Sequence, residues 1–530
     1  MVSASELLRK GKVRDVWHKY CGWLDLSLKE FMEIQEHLLL EQLALVSQCK
    51  LGTKLLKGTV PKTLAEFREQ VPLTTYADYP ELLDKREDVL PEKPLVWQHT
   101  TGRSGEYPHK WIPVTERMFK ESARYCLATY ILASCQKKYD FSLEEHDKFL
   151  YTLAPPPFAT GTIAHALAEE FPLNFLPPLD EAEKMSFQER TEKGFSLALE
   201  QGMDLIGGLN SILIAVGERF SQSSGAKGLL GMIANPKKLG RVVRGFLRSK
   251  LARRTMLPSD LWHVKGIVAA GPDAPIYKEK MKALWGRYAL DVYGATEPIM
   301  IAMQTWDYES MTFVPSLNFL EFLPEEEMLK EHEKNAQLHT VLLDEVKPGG
   351  RYEMVITSYH GGPLVRYRMG DMVEITSVRN EKLNIDIPQM VFFSRCDGLI
   401  DIAGFTRLTE KTIWQAIANS GVAYTDWTAR KEVGDKPVLR LYLELKPEED
   451  RGIEKVTAII HEKLKELHTD YADIEPMLAV MPLQITLVPA GSFQKYTLMQ
   501  QAAGADLAHL KVPHVNAPDG VMNTLLGIEP

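Results

Sequence analysis

Residues 264–298 read VKGIVAAGPDAPIYKEKMKALWGRYALDVYGATEP, and their pattern points to one class of fold. The run Val264–Ala270 is apolar and ends at a Gly–Pro pair, which predicts a buried strand followed by a turn. A helical pattern over Tyr277–Arg287 comes next, and Leu290–Tyr293 predicts a second strand that leads into a glycine. Strand, helix and strand in this order are typical of an α/β sheet.

The sequence before this unit is predicted to be mostly helical. Leu26–Cys49 and Thr115–Lys138 repeat apolar residues at three- and four-residue spacing, and Lys184–Phe220 reads as one long helical stretch. Clusters of two and three prolines separate the last two stretches, because proline lacks the amide donor that a helix needs. We therefore expect a helical block over residues 116–260.

The sequence after this unit predicts shorter elements and a second domain. From Phe313 onward, prolines and glycines recur between short apolar runs, which predicts a β-rich subdomain against the sheet. Beyond a break at residues 394–398, we expect helices at Leu408–Ser420 and Ile453–Leu467 and strands at Pro437–Lys446 and Met481–Val488. Such a small α+β unit is of a size that folds alone. The prediction is an α/β fold with a large domain over 1–394 and a small α+β domain over 395–530.

The composition is that of an ordinary globular protein. The 530 residues are 45% hydrophobic and 25% charged, which argues against a disordered or fibrous chain. Lys and Arg number 62 against 71 Asp and Glu, a net charge of −9 that gives no reason to expect a nucleic-acid partner. The five scattered cysteines form no C-x-x-C pair, so we expect neither a disulfide framework nor a zinc ribbon. No apolar run suits a signal peptide or a membrane span, so a cytoplasmic protein with no membrane partner is expected.

One basic cluster stands out in this acidic chain. Residues 237–254 carry lysines and arginines at helical spacing, with apolar residues between them. We interpret the cluster as the solvated face of a helix. An anionic partner or a membrane surface is the alternative.

The segment Trp97–Glu106, WQHTTGRSGE, is the first of three motifs that could carry chemistry. Glycines allow a backbone to approach a ligand closely, and hydroxyls together with exposed N–H groups can bind phosphate oxygens. The Walker A pattern is absent from the sequence, which disfavours a P-loop hydrolase. Taken alone, the segment could also be an ordinary surface loop.

Two further motifs offer complementary groups. Asp291–Pro298, DVYGATEP, presents an aromatic face that could stack on a base and a carboxylate that could hold Mg²⁺. Its alternative is a capped helix start that uses Thr296 and Glu297. Leu364–Asp371, LVRYRMGD, ends in an acidic residue that could accept the hydroxyls of a ribose. Its alternative is a hairpin with an exposed Gly–Asp pair and a locally paired arginine.

These three motifs in this order, followed by the break at Arg395–Asp397, resemble the adenylate-forming superfamily of acyl-CoA synthetases, luciferases and adenylation domains. Within that superfamily, the chain is similar to the acyl-acid amido synthetase family of the auxin-responsive promoter type. The stretches that carry this resemblance are Phe67–Tyr76, Thr101–Glu106, Tyr293–Glu297, Phe319–Pro324 and Tyr367–Asp371, with a tail match at Gly491–Phe493, Gly504–Asp506 and Lys511–Pro513.

The resemblance implies an enzyme that adenylates a carboxylic acid with ATP and transfers the acyl group to an amine, which in these relatives is an amino acid. AMP and pyrophosphate would be released. The residues implied in phosphate binding are Thr100, Thr101, Gly102, Ser104 and Gly105. Those implied around the adenine, the ribose and the α-phosphate are Gly271, Pro272, Tyr293, Gly294, Thr296, Asp371 and Arg395. Glu297 would act in catalysis as the Mg²⁺ ligand. Asp397 would be the hinge between domains, about which the small mobile domain over 395–530 would close over the site.

The resemblance leaves several points open. Either Lys511 or Lys495 would be the catalytic lysine of the small domain, and Lys110 lies a few residues beyond the first motif. The same fold would also suit an acyl-CoA ligase of the phenylacetate type, in which Gly404 could border a pantetheine tunnel. A nucleotide-binding homologue without catalysis is the third possibility. The identity of the acid and the oligomeric state do not follow from the sequence.

Overall fold

The computed structural model describes residues 3–100, 109–222, 236–271, 274–328, 338–395, 399–402, 406–433, 436–478, 481–502 and 512–528. These residues form two compact units. The first is drawn from Met1–Thr100 and Lys110–Ser394, and the second is drawn from Arg395–Pro530 together with His109.

The strands of the first unit are β1 Val96–His99, β2 Trp111–Val114, β3 Lys148–Tyr151, β4 Asn174–Leu176, β5 Leu205–Leu209, β6 Gly266–Ala270, β7 Leu290–Tyr293, β8 Ala302–Gln304, β9 Met311–Phe313, β10 Asn318–Pro324, β11 Arg351–Ser358, β12 Tyr367–Ser377 and β13 Gln389–Arg395. Its longer helices are Ala4–Arg9, Val13–Cys21, Leu28–Val46, Lys50–Leu55, Leu64–Gln70, Glu116–Ser134, Ala159–Glu170, Phe187–Gln201, Asn210–Gln222, Pro236–Leu251 and Ala274–Trp285.

An 11-stranded sheet runs through the first unit in the order β10-β11-β12-β13-β9-β8-β7-β6-β5-β3-β4. Five strands that are consecutive in the sheet, β4, β3, β5, β6 and β7, are parallel to their neighbours. The pairs β7–β8, β8–β9 and β9–β13 are antiparallel. The strand, helix and strand predicted between Val264 and Tyr293 are β6, Ala274–Trp285 and β7. The predicted α/β fold is therefore confirmed.

The structure differs from the sequence prediction in the helical block. The stretch Lys184–Phe220 is not one helix, because Gly202 ends the first helix at φ +91° and Leu205–Leu209 forms β5 between β3 and β6. Four of the five residues of β5 are buried, and a short buried apolar run has no period that separates a strand from a helix. A Cβ on Gly207 would lie 2.7 Å from the ring of Phe149 on β3. Glycine at this position of β5 therefore leaves room for that ring.

The strands after Phe313 also differ from the prediction in their placement. They extend the same sheet edge to edge, from β9 through β13 to β10, and do not form a separate layer against it. Behind the parallel half, a core cluster joins β3, β5 and β6 to the helices that contain Phe195, Leu213 and Met281. Within it, Trp262 and Trp285 stack with ring centroids 6.3 Å apart.

The second unit contains β14 Ile400–Ile402, β15 Thr406–Leu408, β16 Tyr424–Val433, β17 Pro437–Leu445 and β18 Leu483–Leu487, with helices Glu410–Asn419, Ile453–Leu467, Thr469–Leu478, Ser492–Ala502 and Asp519–Leu526. Its main sheet has the order β16-β17-β18. The two helices and two strands predicted from the sequence are present. The sequence analysis missed β16, which pairs antiparallel with β17.

Two buried glutamines fix helix Leu28–Val46 against the sheet. Gln35 and Gln42 are each 1% exposed. The side-chain amide of Gln35 bonds the backbone of residues 318–320, and that of Gln42 bonds the backbone of residues 361–362. Because each amide both donates and accepts, these polar groups are satisfied and cost little on burial.

A buried ion pair joins the end of the N-terminal region to the sheet. The guanidinium of Arg366 donates to both carboxylate oxygens of Glu321 on β10, at 2.8 and 3.1 Å. It also donates to the carbonyls of Arg68 and Val71 and to the hydroxyl of Thr340. Arg366 has φ +45°, a left-handed conformation that costs an arginine energy. The network offsets that cost.

Glu321→Gln is expected to lower the free energy of unfolding by about 3–5 kcal/mol, because it leaves a buried guanidinium without its counter-charge. The matched control is Glu374→Gln, which breaks the exposed Arg351–Glu374 pair on the same sheet and should cost no more than about 1 kcal/mol. Urea titrations followed by tryptophan fluorescence measure both values. Equal losses in the two variants would contradict this role of the buried pair.

Asp291 on β7 is a half-buried carboxyl group whose titration has a measurable consequence. Burial raises the pKa of its carboxyl group to about 8, opposed only in part by a hydrogen bond from the backbone N–H of Val292. In the unfolded chain an aspartate ionises near pH ~4. The folded protein therefore retains a proton that the unfolded chain loses, and this contribution to stability declines as the pH rises from about 4 to about 8.

We expect Asp291→Asn to gain stability relative to the unsubstituted protein as the pH rises through that window, because asparagine does not titrate. Urea midpoints at about pH 5 and about pH 8 measure the difference. Asp84→Asn, at an exposed position, serves as the control. A stability difference that is independent of pH would show that Asp291 ionises as an ordinary carboxyl.

Candidate functional site

The first motif begins on the first strand of a two-stranded hairpin. Strands β1 and β2 pair antiparallel up to His99 and Trp111, and Thr100 and Lys110 continue the pairing. The backbone N–H of Thr100 donates to the carbonyl of Lys110 at 3.1 Å, and the N–H of Lys110 donates to the hydroxyl of Thr100 at 3.2 Å. Four residues predicted to bind phosphate lie outside the described residues: Thr101, Gly102, Ser104 and Gly105.

Lys110 connects this hairpin to the other two motifs. Its Nζ donates to the phenol oxygen of Tyr367 at 3.0 Å and lies 3.5 Å from Oε1 of Glu297. The hydroxyl of Tyr367 in turn donates to the same carboxylate oxygen at 3.4 Å. The side chains of Lys110 and Glu297 are only 14% and 9% exposed, so an ammonium, a carboxylate and a phenol meet away from bulk water.

Two residues of the stretch Phe67–Tyr76, Thr74 and Tyr76, contact the segments that carry Tyr367 and Lys110. Thr74 bonds the backbone of Arg366 and Arg368 on either side of Tyr367, which fixes the phenol in place. The hydroxyl of Tyr76 accepts from the N–H of Trp111 at 2.7 Å, and the Lys110 ammonium lies 5.8 Å from the centre of the Tyr76 ring. A cation near aromatic faces is favoured electrostatically.

The second motif forms a tight turn after β7. No helix begins at Thr296, so the alternative of a capped helix start is wrong. A Cβ on Gly294 would lie 2.3 Å from the carbonyl oxygen of Ile299, and the turn therefore requires glycine. The side-chain amide of Gln98 on β1 donates to the carbonyl of Thr296 at 2.8 Å, which holds the turn beside the hairpin.

The third motif meets the second through one hydrogen bond. The hydroxyl of Tyr293 donates to Oδ2 of Asp371 at 2.9 Å. Asp371 is 4% exposed and lies within β12, so the alternative of a hairpin with an exposed Gly–Asp pair is wrong. The guanidinium of Arg368 pairs with Glu353 on the neighbouring strand at 2.7 Å, and Gly370 has φ +71°.

For the remaining predicted residues, the structure shows the element on or beside which each one lies. Gly271 follows β6 directly, with φ +136°, and Arg395 ends β13. Lys495 lies exposed on helix Ser492–Ala502 of the second unit. Four more residues from the sequence analysis lie outside the described ranges: Pro272, Asp397, Gly404 and Lys511.

The groups assembled here suit an anionic ligand with a bound cation. The Lys110 ammonium can pair with phosphate oxygens, and a carboxylate such as Glu297 suits a hard divalent cation that also takes oxygens from its ligand. Across the described ranges, no cluster of three or more His, Cys, Asp or Glu could hold a metal by itself. No helix in the described part of the chain is long and apolar enough to cross a membrane.

Sequence reasoning underrated Lys110 and did not single out Tyr367 as a site residue. Lys110 lies a few residues beyond the first motif, and its distance along the chain from Glu297 and Tyr367 hid the contact. The available signal was the short apolar run Trp111–Val114, which predicts a strand that begins directly after Lys110.

Comparison with known proteins gives a consistent result. Residues 21–157 match the GH3 family N-terminal domain, residues 311–395 match the GH3 family central domain and residues 409–518 match the GH3 family C-terminal domain. The structure resembles that of AtGH3.15 acyl acid amido synthetase in complex with 2,4-DB, with a TM-score of 0.53, 16% identity and coverage of 99% of this chain and 97% of that one. It also resembles 2-hydroxyisobutyryl-CoA ligase, with a TM-score of 0.53, 15% identity and coverage of 84% and 85%. At these identities the likeness shows a shared fold.

Curated relatives align over a smaller region. Indole-3-acetic acid-amido synthetase GH3.3 of Arabidopsis thaliana is 26% identical over 230 residues, which cover 41% of this chain and 36% of the relative. Jasmonoyl–L-amino acid synthetase JAR4 of Nicotiana attenuata is 27% identical over 213 residues, which cover 39% and 35%. The alignment thus spans little more than a third of each relative's own length. The matched family domains together cover more than half of the sequence, and the chain belongs to the GH3 family.

Proposed function

We propose that this protein uses ATP to adenylate a carboxylic acid and then transfers the acyl group to the amine of an amino acid, releasing AMP and pyrophosphate. The observation that supports this proposal most directly is the contact of Lys110 with Glu297 and Tyr367. That contact joins residues from or beside all three motifs predicted to bind ATP. Membership of the GH3 family, whose relatives include named amido synthetases, supports the same reaction.

In the first half-reaction, a carboxylate oxygen attacks the α-phosphorus of ATP and pyrophosphate leaves. We assign phosphate binding to the hairpin end, with Thr100, Lys110 and the loop residues Thr101, Gly102, Ser104 and Gly105. An ammonium ~4 Å from the developing negative charge contributes about 4 kcal/mol of attraction at an effective dielectric near 20, before desolvation is subtracted. Thr296 would contact the α-phosphate. The role of these residues is to orient the reactants and to neutralise charge.

The nucleoside would be held at the other end of the site. Asp371, oriented by the hydroxyl of Tyr293, would accept the ribose hydroxyls. The Tyr293 ring and the turns at Gly271, Pro272 and Gly294 would border the adenine, with Arg395 near the ribose. The Glu297 carboxylate, buried and opposite Lys110, fits the preference of Mg²⁺ for hard oxygen ligands. Mg²⁺ bound there would neutralise phosphate charge.

The second half-reaction is assigned to the second unit. In this proposal a lysine, Lys511 or Lys495, stabilises charge during adenylation, and the unit then rotates about Asp397 to rebuild the site for acyl transfer. The amine must then attack in its neutral form. An acyl-CoA ligase or a non-catalytic nucleotide-binding protein would be compatible with the same fold, so the acceptor has to be determined by experiment.

Incubation of the purified protein with ATP, Mg²⁺ and a panel of carboxylic acids tests the proposal, with an amino-acid mixture or CoA supplied as acceptor. We expect acid-dependent exchange of labelled pyrophosphate into ATP and an amide product with the amino acids. A thioester formed with CoA and no amide would indicate the acyl-CoA ligase. No exchange with any acid would favour the non-catalytic homologue.

Lys110→Met is expected to lower the rate of pyrophosphate exchange by roughly 10²–10³-fold, the usual effect of removing one charge-stabilising group from an active site. The matched control is Lys120→Met, which removes a lysine whose side chain is 70% exposed and should leave exchange unchanged. Thermal unfolding of both variants shows whether each is folded. Full exchange activity in a folded Lys110→Met variant would contradict the assignment.

Asp371→Asn is expected to weaken the discrimination between ATP and dideoxy-ATP, which lacks the ribose hydroxyls. The unsubstituted protein should bind ATP at least about tenfold more tightly, because hydrogen bonds to a charged group contribute about 1.5–3 kcal/mol. Tyr293→Phe, which removes only the hydroxyl that orients Asp371, should show an intermediate preference. Calorimetric titration of each nucleotide measures the ratio. An unchanged ratio in Asp371→Asn would place the ribose elsewhere.

A further inference from the structure

Helix Pro236–Leu251 leaves its large apolar side chains in solvent. Val243, Phe246, Leu247 and Leu251 are 44%, 40%, 58% and 85% exposed. Residues at this spacing share one side of a helix, so the four form a continuous strip, which we call the exposed apolar row. Contiguous apolar surface of this kind usually marks an interaction site.

The packing of the helix accentuates this exposure. Its inward side carries Val242, Gly245 and Ser249, which are buried. A Cβ on Gly245 would lie 2.6 Å from the side chain of Leu261, so the helix packs closely through small residues. In an ordinary surface helix the larger apolar residues face the core. Here they face outward, and the row does not serve the core of the first unit.

The charged residues of this helix and of the three residues after it are all positive. Residues 236–254 contain eight lysines and arginines and no aspartate or glutamate, in a chain whose net charge is −9. Some of these cations serve the fold: Arg241 and Arg248 donate to backbone carbonyls of the neighbouring segments. Arg244 and Lys250 are exposed and lie beside the row. The Lys250 ammonium lies 5.2 Å from the centre of the Phe246 ring.

We propose that the exposed apolar row, with Arg244 and Lys250, binds the surface of an anionic lipid bilayer. Apolar side chains enter the boundary of the acyl chains while lysine and arginine meet lipid phosphates, and a helix that combines both is typical of membrane-interface binding. None of its residues is assigned to the proposed ATP site. It also lies between the segments matched by the family domains, which end at residue 157 and resume at residue 311.

The observations favour a bilayer over the other possible occupants. A second copy of the chain would bring one basic face against another, and like charges repel. A protein that binds an amphipathic helix encloses it in a groove, whereas this helix already packs against its own core through Val242 and Gly245. Only its outer side is available, and a planar surface needs only one side.

Sedimentation with vesicles tests the proposal on the full-length protein. We expect binding to phosphatidylcholine vesicles that contain phosphatidylglycerol, weakening at high salt, and little binding to pure phosphatidylcholine. The double substitution Phe246→Asp with Leu247→Asp should lower the partition coefficient at least about tenfold. Arg244→Gln with Lys250→Gln should lower binding to the anionic vesicles only. Pyrophosphate exchange should be unchanged in all of these variants.

The matched control is Leu498→Asp with Met499→Asp, which alters two adjacent apolar residues that are 57% and 50% exposed on another helix. This variant should bind vesicles like the unsubstituted protein. If the Phe246 and Leu247 variant fails to fold, Leu247→Gln with Leu251→Gln provides a milder change at more exposed positions.

Three results would overturn the proposal. The first is equal binding to anionic and neutral vesicles, or none to either. The second is equal loss of binding in the control and in the row variant. The third is binding of polyglutamate without binding of vesicles, which would assign the surface to an acidic protein.

Discussion

The buried contact between Arg366 and Glu321 is the constraint on which the first unit depends. It gathers the carbonyls of Arg68 and Val71, strand β10 and the hydroxyl of Thr340 around one guanidinium. Burying two charges is expensive unless every hydrogen-bonding position is used, so this contact tolerates few alternative arrangements. Tyr367 follows directly in the chain, and its position toward Lys110 depends on the geometry of its neighbour.

The candidate site also consists of polar side chains that are withdrawn from water and hydrogen-bonded to one another. Lys110, Glu297 and Tyr367 are withdrawn from water but bonded to one another, and Tyr293 is bonded to Asp371. In surroundings of low dielectric such contacts are strong, and an unpaired charge would be costly. A ligand that brings phosphates and a cation would offer partners of the same kind. All five side chains belong to the first unit, which therefore provides these contacts without the second.

Regular elements with strong periodicity were predictable, and elements whose signal is not local were missed. The alternation of strand and helix from Val264 to Tyr293 is evident in the sequence because each element has its own period. Strand β5 was hidden inside a predicted helix, since a five-residue apolar run with four buried residues carries no period of its own. Gln35 and Gln42 interrupt an apolar helical face, and only their bonds to distant backbone groups explain them.

The sequence by itself determined the class of fold, the boundaries of many elements and three motifs with groups suited to a nucleotide. Those features depend on neighbouring residues and on residue chemistry, both of which can be read along the chain. Tertiary structure alone decided which groups meet. Lys110 bonds partners 187 and 257 residues away, and the outward turn of Phe246 and Leu247 depends on which side of their helix packs closely. Contacts of that separation are set by how strands and helices pack in the folded chain, and no local pattern records them.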